Sequence, residues 1–181
     1  MRIVKDKTAV VVVDFQERLV PAMREGALAV SSAAKLIEGA NAIGCPVLVT
    51  QQYTKGLGDS VSGIKEAFSS FSHIEKSAFS AMGEPDFVKA LAETGKKTVV
   101  LCGIEAHVCI LQTALDLLSA EYDVFLVTDA ISSRKEKDEK MAVKRMIKSG
   151  VFPTTVESVL FELLENDSKS ETFKTISRLV K

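Results

Sequence analysis

The chain contains no tryptophan, only two tyrosines and two histidines, and three cysteines in 181 residues. Each scarcity excludes something. His73 and His107 have no partners at metal-ligand spacing, so no metal site is expected. Three cysteines are an odd count with no framework spacing, which argues against a disulfide scaffold. Neither sign of charge is in excess: 23 Lys and Arg face 24 Asp and Glu. That balance removes the electrostatic case for nucleic acid or an anionic membrane as a partner. No apolar run is long enough to span a bilayer, and the opening residues lack a signal-peptide core, so the expected location is cytoplasmic. Asn166-Asp167-Ser168 matches a glycosylation acceptor, but without secretion it carries no weight. There is no Gly-x-Gly-x-x-Gly, and Gly95-Lys96-Lys97-Thr98 precedes a strand where a phosphate loop would follow one. No cofactor is expected.

What is present is ordinary globular material, 46% apolar and long enough for one domain over residues 1–181. Apolar runs at Ala9 to Val13, Val47 to Val49, Thr98 to Cys102 and Val124 to Val127 do not alternate in polarity, as expected of parallel strands covered on both faces. Short strands near His73 to Glu75 and Pro153 to Thr155 would complete six. Helices are expected over Glu25 to Ile43, Pro85 to Thr94, Ala106 to Ala120, Lys135 to Lys148, Val156 to Leu164 and Ser170 to Val180, with Gly44, Gly95 and Gly150 as stops. The alternation predicts an α/β fold: three layers, α/β/α, around a doubly wound, six-stranded, mainly parallel sheet. Gln51 to Ser70, rich in Gly and Ser, is expected to be a loop over the site.

Polar residues collect where these strands end. Asp14 follows the first, Gln51, Gln52 and Tyr53 the second, Lys76 the third, Glu105, His107 and Cys109 the fourth, and Asp129 the fifth. In open α/β sheets, ligands bind at that edge. Cys109 falls in the first turn of a helix whose apolar stripe is Val108, Leu111, Leu115 and Leu118, while Cys109 shares a face with Gln112 and Asp116. The positive end of the helix would favour its thiolate. A cysteine nucleophile needs a base and a positive group, which Asp14 and Lys76 can supply. Plainer readings exist for each: Asp14 as a cap for a helix starting near Glu17, Lys76 as a solvated lysine, Cys109 as a small core residue.

Four segments in order resemble the isochorismatase-like cysteine hydrolase family: Val12-Val13-Asp14-Phe15-Gln16, Lys76-Ser77-Ala78-Phe79, Gly103 to Cys109, and Thr128-Asp129-Ala130-Ile131-Ser132-Ser133. The run Thr50 to Gly58 is most similar to the small single-domain members. The resemblance implies a catalytic triad of Asp14, Lys76 and Cys109 and a non-proline cis peptide at Ile104–Glu105. It also implies an oxyanion hole formed by the amides of Glu105 and Cys109, where losing one donor costs about 2.7–4 kcal/mol. It further implies C–N hydrolysis of an amide, ureido or carbamoyl small molecule through a thioester, in a homo-oligomer, dimer or larger. Phe15, Gln16, Gln51, Tyr53, Phe79 and His107 are candidates to line the pocket. Gln51-Gln52-Tyr53 stands where the nicotinamidase branch carries metal ligands, so no metal is implied. Cys109 is present, whereas true isochorismatases commonly lack it. Two other readings remain: a thiol redox enzyme using Cys109, which needs a resolving thiol, and a non-catalytic interaction protein of the same fold.

Overall fold

The computed structural model describes residues 1–165 and 170–181; the Asn166-Asp167-Ser168 tripeptide lies outside the described residues. In chain order the main elements are β1 (Thr8–Val13), α1 (Gly26–Ile43), β2 (Val47–Gln52), α2 (Thr54–Leu57), α3 (Ser62–Lys65), β3 (Ile74–Lys76) and α4 (Pro85–Glu93). Then come β4 (Thr98–Ile104), a π-helical turn (Ala106–Ile110), α5 (Leu111–Ser119), β5 (Asp123–Ser132), α6 (Glu136–Ser149), β6 (Phe152–Thr154), α7 (Val156–Leu164) and α8 (Glu171–Leu179).

The strands form one sheet in the order β3-β2-β1-β4-β5-β6, and every pairing is parallel rather than mainly so. All six residues of β1 and all seven of β4 are buried, which explains their unbroken apolar runs. Alternate residues serve opposite faces. Val10, Val12, Val100 and Cys102 pack with Leu36, Ile37, Leu160 and Ile176 of α1, α7 and α8. Ala9, Val11, Val13, Val99 and Leu101 pack with Phe87, Leu91, Ala114, Leu117 and Met146 of α4, α5 and α6. The result is a three-layer α/β/α fold. Chain order reverses between adjacent β1 and β4, and the ends of those two strands are where open α/β sheets bind their ligands.

Three local expectations change. The stretch after Val49 is more regular than a loop: β2 continues to Gln52, and α2 and α3 follow. The fifth strand runs on to Ser132, so Asp129 lies within it and its carboxylate accepts from Val156 N at the start of α7. No helix starts near Glu17; a 3-10 turn occupies Val20–Ala22 and the first long helix begins at Gly26. Among the described residues, no helix is long and apolar enough to cross a membrane.

Candidate active site

Asp14, the residue after β1, adopts φ +57°, a left-handed conformation that aspartate tolerates better than most residues. That turn directs its carboxylate across the strand ends, where it caps no helix. Thr50 Oγ1 donates to Asp14 Oδ1 at 2.8 Å, and Lys76 Nζ lies 2.7 Å from Asp14 Oδ2. Lys76 is the last residue of β3, not one beyond it, and is 1% exposed, so it is not a solvated lysine. Its ammonium also donates to Gln52 Oε1 at 2.6 Å and to the carbonyls of Ala78 and Phe79 at 3.1 Å each. Cys109 Sγ stands 3.8 Å from the same nitrogen. Three segments separated by up to 95 residues therefore meet through one ammonium group.

Cys109 is held differently from the helical-stripe expectation. Ile110 N bonds to Glu105 O at 3.2 Å, closing a π turn with one extra residue. The added residue rotates the helix. Ile110, Leu111, Ala114 and Leu117 become the buried set, and Cys109 turns inward, away from exposed Gln112 and Asp116. Only 6% of Cys109 remains exposed. Gly103 enables the approach to this turn. Its φ is +137°, and a Cβ there would lie 2.3 Å from Val13 O. The Ile104–Glu105 peptide is cis.

The electrostatics correct the expectation of a thiolate stabilised by the helix end. Burial pushes the Cys109 thiol up to about 12, and the Asp14 charge adds to the rise, while Lys76 and the Glu105 amide pull the other way. Burial also raises the Asp14 carboxyl, against the lowering effects of Lys76, Thr50 and Cys109. A thiolate formed by losing its proton to water would leave two buried anions beside one cation. Moving the proton to Asp14 leaves the charge of the group unchanged.

The other candidate residues divide. Phe15 is 1% exposed and belongs to the core. Gln16 and Gln51 are fully buried scaffold. Gln16 bonds to both backbone groups of Gln52 and to Gly58 O, and Gln51 Oε1 accepts from the N and Oγ of Ser60. Tyr53 and Phe79 are 58% and 57% exposed and available to a ligand. Tyr53 borders a hollow of about 170 Å³ with Glu75, Lys76, Ser77 and Glu84. His107 Nδ1 lies 3.0 Å from Ser133 Oγ, and its ring lines a hollow of about 290 Å³ with Leu111, Met141 and Arg145. A larger hollow of about 470 Å³, between Ile131 and helix α6, is lined by none of Asp14, Lys76 and Cys109. Thr50 contacts Asp14 and Gln52 contacts Lys76; Gln52 is expected at the strand end but neither is among the residues expected to line the pocket, and their spacing of two on a strand that ends at the site is the available signal. The Glu105 carboxylate accepts from Arg134 Nε at 2.7 Å. Among the described residues no cluster of His, Cys, Asp or Glu could hold a metal.

Residues 8–158 match the family model described as Isochorismatase domain. Isochorismatase domain-containing protein 1 of Danio rerio is 41% identical over 174 residues, covering 93% of this chain and 59% of the zebrafish protein. The chain thus spans about three fifths of that relative's length. The structure of MAR1 Ribonuclease from Caenorhabditis elegans superposes with a TM-score of 0.91 at 35% identity, covering 99% of this chain and 92% of that one. The YcaC gene product of Escherichia coli, described as an octameric hydrolase of unknown specificity, has a TM-score of 0.91 at 28% identity, with coverage of 99% and 89%.

Proposed function

The chain belongs to the isochorismatase family, and from that premise we propose that it is a cysteine-dependent hydrolase cleaving a C–N bond of a small amide, ureido or carbamoyl compound. The observation that carries this reading is the placement of Lys76 Nζ, 2.7 Å from Asp14 Oδ2 and 3.8 Å from Cys109 Sγ. In the proposed reaction, Asp14 takes the thiol proton and Lys76 balances the sulfur anion. Sulfur attacks the carbonyl carbon, and the oxyanion meets the amides of Glu105 and Cys109. The C–N bond breaks as Asp14 returns the proton to the leaving nitrogen, which departs as ammonia or an amine. Water then attacks the thioester, again losing a proton to Asp14, and the acid leaves as Cys109 regains its thiol.

A redox role is less well supported. A resolving thiol must reach Cys109, and Cys102 is sealed within β4. Assembly into a homo-oligomer is also proposed, supported by the octamer described for the Escherichia coli protein. The test is release of ammonia from a panel of small amides, ureido and carbamoyl compounds. Wild-type protein turns over at least one of them, and Cys109→Ala abolishes that turnover with the fold intact. Turnover retained by Cys109→Ala refutes the mechanism.

A further inference from the structure

Thr50 is fully buried near the end of β2, where the preceding apolar residues are Val47, Leu48 and Val49. Valine would fill almost the same space. A buried hydroxyl costs stability unless it is bonded, so its presence there calls for a partner. The partner is Asp14 Oδ1, at 2.8 Å. The two oxygens of Asp14 are consequently unequal. Oδ1 receives the threonine proton, while Oδ2 sits 2.7 Å from Lys76 Nζ without an aligned hydrogen bond. Oδ2 therefore keeps a lone pair for one more proton. Among the described residues, the titratable and charged groups facing this carboxylate are Lys76 from β3 and Cys109 from the π turn. Of the two, the thiol is the one whose proton the proposed reaction moves, while the ammonium stays charged.

We propose that Thr50 is a positioning residue for proton transfer from Cys109 to Asp14. Its hydroxyl fills Oδ1, sets how strongly the carboxylate draws a proton, and leaves Oδ2 as the oxygen that receives it. This rests on the triad reading given above. A hydroxyl donating to a carboxylate favours the charged form. Removing it makes Asp14 a stronger base that ionises at higher pH. The two effects are linked, because each unit gained by Asp14 shifts the shared proton tenfold toward the carboxyl–thiolate form.

Alkylation of Cys109 by iodoacetamide, followed across pH by peptide mass spectrometry on the whole protein, tests this without a known substrate. In the wild type, the rate rises in a lower step as the Asp14–Cys109 pair loses its first proton, and again as it loses its second. Asp14→Asn removes the lower step. Thr50→Val moves the lower step up by about one pH unit and raises the plateau above it about tenfold. Thr50→Ser restores both, and Thr50→Ala replaces the valine variant if that one does not fold. A merely structural role predicts slower or indiscriminate alkylation without a displaced step. If Asp14→Asn removes the lower step but the Thr50 variants leave step and plateau unchanged, the role of Thr50 is overturned and the triad stands. If the lower step survives in Asp14→Asn, the triad reading is overturned, and the Thr50 proposal with it.

Discussion

Lys76 Nζ and Asp14 Oδ2 form an ion pair at 2.7 Å with neither side chain exposed. Taking two charges out of water is costly, and the pair persists because its remaining groups are bonded: Thr50 on one oxygen, and Gln52 and two carbonyls on the ammonium. Removing one partner strands the other.

Lys76→Met is therefore expected to lower unfolding stability by about 3–5 kcal/mol. The double variant Asp14→Asn with Lys76→Met should lose clearly less than the sum of the singles. Urea denaturation of the four proteins measures the coupling; strict additivity would contradict a mutually dependent pair.

Alkaline pH should destabilise the fold through its buried thiols. Cys109 rises from 9.0 to about 12 and Cys45 from 9.0 to about 11 on folding. Between these values the unfolded chain has released protons that the folded one still holds. Stability must then fall as pH rises above about 9, by roughly 1.4 kcal/mol per unit of difference for each thiol. Cys109→Ala should flatten part of that decline in denaturation curves taken from pH 8 to 11.

Gly103→Ala meets two obstacles that no side-chain movement relieves. Its φ of +137° disfavours any Cβ, and the new atom would lie 2.3 Å from Val13 O and 2.8 Å from Val13 N. A loss of about 3 kcal/mol or more is expected. A denaturation midpoint unchanged from wild type would show that β1 and β4 separate more easily than their pairing implies.

Gln52→Leu deletes the 2.6 Å acceptor of the Lys76 ammonium. A hydrogen bond to a charged group is worth about 1.5–3 kcal/mol. The variant should lose that much stability, and kcat on an identified substrate should drop about tenfold with little change in KM. A rise in KM alone would place Gln52 in substrate binding instead.

Much of this architecture was legible in the chain. The runs ending at Val13 and Cys102 had no polar alternation, which only doubly covered strands require, and Asp14 and Lys76 stood at strand ends. The environment of Cys109 was not legible, because a 3.6-residue period cannot show an inserted π turn, and that turn decides which face is buried. Nor did the letters reveal that Phe15, Gln16 and Gln51 are sealed inside. All three flank the strand ends as Asp14 and Lys76 do, and only the path of the following chain settles which way they point.

Thr50 and Gln52 reach the triad because they share parity along β2, with Gln51 between them turned to Ser60. Inserting a single residue just before Thr50 would exchange the two sides of the strand tip. The acid and the ammonium would lose their neighbours together while the chemical inventory stayed complete. Such an odd-length change should abolish the proposed hydrolysis, whereas longer insertions in the turn after Gly58 leave that odd–even order untouched.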